Sequence, residues 1–122
     1  MIKERAVVLL ASYDASTLYL TLKALDHTLS HDETVVIILN GKRGVRSAFV
    51  EDVARGWIQG NNNRFVVRPL NYGNDPYNSI KEIIKDFEPL KHKEFICKID
   101  DDLIQLRKSW LDNLHSTYLK HE

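Results

Sequence analysis

Three consecutive carboxylates, Asp100, Asp101 and Asp102, follow an apolar run and are the residues best suited to chemistry in this sequence. The run is rich in Phe, Ile and Cys without a helical period, which is typical of a buried strand that ends at the first Asp. If the backbone is still extended there, alternation places Asp100 and Asp102 on one side and Asp101 on the other. Two such oxygen ligands suit Mg²⁺ or Mn²⁺, which take further ligands from water and phosphates. The alternative is that the three acids only face solvent or cap the next helix.

The composition indicates one domain over residues 1–122, with 17 Lys and Arg balancing 17 Asp and Glu for a net charge of +0. This balance provides no electrostatic reason to expect nucleic acid as a partner. The chain begins without the apolar region of a signal peptide and contains no apolar stretch long enough to span a membrane, so we expect a cytoplasmic protein. The single cysteine, Cys97, is expected to be a reduced core residue, and the five histidines are expected at the surface.

The rest of the chain alternates predicted strands with predicted helices. Apolar runs predict strands over residues 6–11, 34–39, 65–67 and 94–99, and apolar stripes predict helices that begin near residues 16, 47, 76 and 109. Asp14 or Ser16 can cap the first helix, and Ser109 resembles a capping-box start for the last. The predicted buried stripes of the second and fourth helices are Phe49, Val50, Val53, Trp57 and Ile58, and Leu111, Leu114 and Tyr118.

This alternation predicts an α/β fold, a three-layer αβα sandwich around a mainly parallel sheet. In such sheets the chain moves outward through strands one to three and then returns to place strand four beside strand one. The reversal opens a crevice at the carboxyl ends of strands one and four, where residues 12–14 and 100–102 would meet. The turn after strand one has no Gly-rich phosphate-binding pattern, so a dinucleotide or P-loop site is not expected.

An apolar strand that ends in Asp-x-Asp at the fourth position resembles the nucleotide-diphospho-sugar transferases of the Rossmann-like GT-A fold, in particular the family-2 glycosyltransferases. The likeness covers nearly the whole chain and rests on three motifs. They are Ser12-Tyr13-Asp14 after strand one, Asn71-Tyr72-Gly73, and Lys98-Ile99-Asp100-Asp101-Asp102. The resemblance implies that the chain binds a nucleoside diphosphate-sugar through Mn²⁺ or Mg²⁺ for transfer of the sugar to an unidentified acceptor.

The resemblance also assigns roles to individual residues. Asp102 would ligate the metal, and Asp100 would share the metal shell or contact the ribose. The remaining nucleotide-sugar contacts would come from Ser12, Tyr13, Asp14, Asn40, Asn71, Gly73, Asn78 and Asp101. Two departures from the family pattern are the Asn40-Gly41 turn, where the family commonly has acidic residues, and Asn78, which stands slightly early for the second Asn or Arg of the family.

The acceptor site and the general base of these transferases come from a stretch after the Asp-x-Asp, and no residue of this chain is assigned as the base. The sequence therefore resembles the nucleotide-binding half of a larger enzyme. Strand four would then be an edge, so we expect self-association along residues 95–99. Two other readings stay open: a non-catalytic α/β interaction module, and a phosphoacceptor receiver-like domain.

Overall fold

The described residues of the protein form a four-stranded parallel sheet. This computed structural model describes residues 4–12, 14–41, 44–70, 76–102 and 107–121. The strands are β1 (Arg5–Ala11), β2 (Thr34–Leu39), β3 (Arg64–Val67) and β4 (Phe95–Asp100). The strand order is β3-β2-β1-β4, and every pair is parallel. The predicted order is confirmed, because the chain moves outward from β1 to β2 and β3 and then crosses back to place β4 on the other side of β1.

In the part of the chain that the structure describes, four α-helices cover the two faces of the sheet, which confirms the predicted three-layer α/β fold. They are α1 (Ala15–Thr28), α2 (Val45–Ile58), α3 (Pro76–Asp86) and α4 (Trp110–Lys120), and a 3₁₀ turn, Glu88–Leu90, follows α3. Side chains of α1, α2 and α4 share one core with one face of the sheet. Side chains of α3 and the 3₁₀ turn share the other core. Every residue of β1 and β2 is buried, as continuous apolar runs in a parallel sheet predict.

The buried stripe of α2 departs from the sequence prediction only at Phe49. Val50 is buried and Val53, Trp57 and Ile58 pack against the core, as predicted, whereas Phe49 is 59% exposed. An apolar stripe indicates which side of a helix is buried, but it does not fix the rotation of the helix about its axis, so a residue at the edge of the stripe can face solvent.

The predicted stripe of α4 is confirmed at Leu111, which is buried together with Trp110. Leu114 contradicts the prediction, because it is 47% exposed. Tyr118 is 39% exposed, and its ring packs on Phe95 of β4.

His115 contradicts the expectation that all histidines lie at the surface. Its ring is buried and stacks on Phe95 of β4 with the ring centroids 4.8 Å apart. Its Nδ1 accepts a hydrogen bond of 3.4 Å from Arg5. Because these two contacts reach β4 and β1, His115 packs α4 against the sheet.

A buried ion-pair network lies at the amino end of the sheet. The guanidinium of Arg5 pairs with the buried Glu33 carboxylate, and its Nε donates to Glu33 Oε1 at 3.1 Å. The same guanidinium contacts Asp112 Oδ1 of α4 at 2.9 Å. Trp110 adds a 3.0 Å hydrogen bond to the hydroxyl of Thr28 at the end of α1. These contacts fix the beginning of α4 against β1 and α1.

Strand β4 is half-buried, in contrast to β1 and β2. Within the described residues it pairs with β1 only, so its outer edge has no strand partner there. Lys98 and Asp100 on this strand are exposed and form an ion pair. Self-association along β4 stays a prediction.

A helix with the length and apolar content of a membrane span is absent from the described residues.

Candidate functional site

The candidate site lies where β1 and β4 end side by side. Leu10 of β1 is in register with Asp100 of β4, so the residues that follow each strand leave the sheet together. The sheet reverses its winding between these two strands, and open α/β sheets bind ligands at the carboxyl ends of strands at such a switch point. Ser12 and the acidic turn at 101–102 therefore occupy this edge of the sheet.

Asp101 connects the acidic turn to β1 and α1. Its carboxylate Oδ2 accepts a 3.0 Å hydrogen bond from the backbone N–H of Ser12. Its backbone carbonyl accepts a 2.6 Å hydrogen bond from the hydroxyl of Thr21, whose side chain is fully buried in α1. Two hydrogen bonds therefore hold the acidic turn. One joins the Asp101 side chain to the end of β1, and the other joins the Asp101 backbone to α1.

The three acids have different environments. Burial is the main cause that raises the pKa of the Asp101 carboxyl above its ordinary value, and the hydrogen bond from Ser12 opposes the shift. The Asp100 carboxylate is exposed and receives a 2.5 Å contact from Lys98 Nζ. Asp102 is exposed in the turn. Of the three, Asp101 is built into the fold, whereas Asp100 and Asp102 face outward and are accessible to a ligand.

Asp14 follows Ser12 by two residues and caps α1. Its Oδ1 accepts a 3.0 Å hydrogen bond from the backbone N–H of Thr17, which confirms the predicted cap. This hydrogen bond is the main reason that the pKa of Asp14 is lowered, and Arg46 contributes a smaller electrostatic share. The side chain is exposed and ionised at neutral pH, so it is an acceptor of hydrogen bonds.

Asn40 directly follows β2 beside the site, and its side chain forms a hydrogen bond with α3. Its backbone N–H donates to the carbonyl of Ala11 at 2.8 Å. Its side-chain Oδ1 accepts a 2.7 Å hydrogen bond from the hydroxyl of Ser79, and both side chains are buried. Asn40 therefore orients the first turn of α3 toward the carboxyl edge of the sheet, where Asn78 is exposed.

The structure brings some of the predicted residues together and does not describe others. Ser12, Asp14, Asn40 and residues 100–102 lie along the carboxyl edge. Tyr13, Asn71 and Gly73 lie outside the described residues. The predicted metal ligands, Asp100 and Asp102, are accessible. Across the described part of the chain, no group of three or more His, Cys, Asp and Glu is placed to hold a metal ion. A cation bound by two carboxylates would need its other ligands from water and substrate phosphates.

Sequence reasoning missed several residues around this edge. Thr21 was not singled out, although its position three residues after Leu18 places it on the buried stripe of α1. Ser79 is buried in α3, and its hydrogen bond to Asn40 depends on where α3 crosses the sheet. Lys98 faces the same side of β4 as Asp100, because residues two apart on a strand share a face. The sequence pattern alone therefore predicts this ion pair.

A cavity of about 430 Å³ opens beside the site, between the first turns of α1 and α2. It is lined by Asp14, Ala15, Ser16, Arg46 and Phe49. Three larger cavities lie elsewhere in the described residues. One of about 640 Å³ lies at the end of α2, one of about 460 Å³ lies between α1 and α2 around Trp57, and one of about 460 Å³ lies along α3 from Asn78 to Asp86. The cavity at the first turns is the one that adjoins the end of β1, because Asp14 in its wall follows Ser12 by two residues.

Comparisons with protein-family models, curated proteins and solved structures found no match to this chain.

Proposed function

We propose that the carboxyl edge between β1 and β4 binds a nucleoside diphosphate-sugar through Mn²⁺ or Mg²⁺ for glycosyl transfer. The observation that carries this proposal is the hydrogen bond from Ser12 to Asp101 across the switch point, which holds the acidic turn beside the end of β1. Asp102 and Asp100 would supply the metal ligands. When bound, the cation would neutralise the charge that builds on the leaving diphosphate.

The residues of this chain would bind and position the donor. Ser12 and Asp101 fix the distance between the two strand ends, and Asn40 places the first turn of α3 beside them. Lys98 is the counter-ion of Asp100 and would be displaced when a cation takes that carboxylate. No general base is assigned, and the acceptor is a hydroxyl compound of unidentified class.

The first test is thermal unfolding with a panel of nucleoside diphosphates, each measured with Mn²⁺ and with a chelator. Ligand at about 100 times its Kd adds roughly 2.7 kcal/mol, which raises the Tm of a domain of this size by roughly 10 °C. We expect one nucleotide to produce this shift with Mn²⁺ and to lose it with the chelator. The substitution Asp102→Asn should abolish the shift.

The matched control for that substitution is Asp32→Asn. Asp32 is an exposed acid in the loop before β2, at the opposite end of the sheet. It should leave the nucleotide shift unchanged. A shift that is insensitive to the chelator, or one that survives Asp102→Asn, would contradict a metal-bridged diphosphate.

A second candidate function is a non-catalytic α/β interaction module. It is favoured by the contacts that two of the acidic residues already make within the fold. Asp14 caps α1, and Asp100 is paired with Lys98. This candidate predicts that neither nucleotide nor metal changes the Tm, so the same panel separates the two functions.

A further inference from the structure

Phe49 is an exposed aromatic side chain beside the candidate site. It belongs to a helix whose apolar residues mostly face the sheet, yet 59% of its surface is accessible to solvent. Exposing an aromatic ring forfeits the free energy that burying it would contribute. The ring lines the cavity of about 430 Å³ at the first turns of α1 and α2, so a ligand in that cavity could cover it.

The other walls of this cavity are polar and charged. Arg46 lies three residues before Phe49, so the two side chains share one face of α2. Asp14, Ala15 and Ser16 form the opposite wall at the start of α1. The cavity therefore offers an aromatic surface, a guanidinium and a carboxylate. This combination suits a planar polar ring attached to an anionic group.

The cavity is also within reach of the acidic turn. Asp14 follows Ser12 by two residues, so their Cα atoms are at most about 7 Å apart. Ser12 in turn donates to the Asp101 carboxylate at 3.0 Å. An extended nucleotide could place its diphosphate at the acidic turn and its base in the cavity.

We propose that this cavity is the subsite for the base of the donor nucleotide, with Phe49 stacking on the base and Arg46 contacting the adjacent ribose and phosphate. This inference rests on the proposed function and adds two nucleotide-binding residues on α2. Stacking on an aromatic ring accepts any base, because every base presents a π face. Preference among bases would then come from hydrogen bonds, for which the Asp14 carboxylate offers an acceptor.

The test is isothermal titration calorimetry in the presence of Mn²⁺, with the nucleoside diphosphate that gives the largest thermal shift. Phe49→Ala should weaken binding by roughly 5- to 150-fold, the range that base stacking on an aromatic ring supports. Phe49→Tyr should restore most of the affinity, because it keeps an aromatic surface. Arg46→Met should weaken binding by about 10-fold, the lower end of the range for a hydrogen bond to a charged group.

Two controls separate base stacking from other effects. Tyr19→Ala removes an aromatic side chain on α1 that is exposed to a similar extent, 51%, and does not line this cavity. It should leave the affinity unchanged. Inorganic pyrophosphate with Mn²⁺ carries no base, so Phe49→Ala should not change its affinity.

The outcomes distinguish the inference from the function on which it rests. If the wild-type protein binds nucleotide with Mn²⁺ and Phe49→Ala binds it equally well, the inference is overturned and the proposed function stands. If Phe49→Ala weakens pyrophosphate as much as nucleotide, base stacking is excluded. If the wild-type protein binds no nucleotide, both the proposed function and the inference fail.

Discussion

Asp101 is the residue on which the geometry of the acidic turn depends. Its side chain is held by the Ser12 N–H, and its carbonyl is held by the Thr21 hydroxyl. Its two neighbours, Asp100 and Asp102, are the predicted metal ligands, and both are exposed. The middle carboxylate therefore acts on the site by positioning its neighbours.

Removing the hydroxyl of Thr21 should loosen this turn. Thr21→Val keeps the side-chain shape and leaves the Asp101 carbonyl without its buried donor, at a cost of about 1 to 2 kcal/mol. Chemical denaturation measures this loss. If Thr21 positions the metal ligands, the same variant should weaken Mn²⁺-dependent nucleotide binding by about 10-fold.

Thr21→Ser is the matched control, since it keeps the hydroxyl and removes one methyl group. Nucleotide binding should return close to the wild-type value, although stability should stay below it. A Thr21→Val protein that loses stability and binds nucleotide normally would limit the role of Thr21 to packing.

Helix α4 is held to the sheet by Arg5, and the two carboxylates that pair with this side chain, Glu33 and Asp112, differ in burial. The side chain of Glu33 is 4% exposed, whereas that of Asp112 is 67% exposed. A buried charge that loses its counter-ion is costly, whereas an exposed ion pair adds little. The pair with Glu33 should therefore dominate the network.

Arg5→Met should lower the free energy of unfolding by about 3 kcal/mol or more, because it leaves the buried Glu33 carboxylate without its cation. Asp112→Asn should cost less than about 1 kcal/mol. Both values come from urea denaturation. In Arg5→Met with Glu33→Gln most of the loss should be recovered; a double variant as unstable as Arg5→Met alone would argue against an uncompensated charge as the cause.

The elements also show where sequence patterns stop being informative. The strand ends and the cap at Asp14 depend on neighbours along the chain, so local patterns predicted them. The exposure of Phe49 depends on how α2 packs against α1, because Phe49 and Val50 lie on adjacent stripes and the sequence alone does not select between them. His115 was missed for the same reason: its burial requires the stack on Phe95, a residue twenty positions earlier.

For the whole molecule, the strand order β3-β2-β1-β4 could be predicted because strict alternation and right-handed crossovers leave few arrangements of four strands. That order brought Ser12 beside the acidic turn, as the sequence indicated. The contacts that fix the turn, from Thr21 and Ser12, were not predictable, because they depend on distances between elements.

A metal and diphosphate site at the ends of β1 and β4 is tested most directly by paramagnetic broadening of backbone amide NMR signals by Mn²⁺ with a bound nucleoside diphosphate. We expect broadening to be strongest at Ser12, Asp14 and residues 100–102, and weakest at Glu33 and Asn61 at the amino end of the sheet. Substituting Mg²⁺ for Mn²⁺ should restore the signals. Broadening centred on the amino end, or no broadening with any nucleotide, would contradict a metal and diphosphate site between β1 and β4.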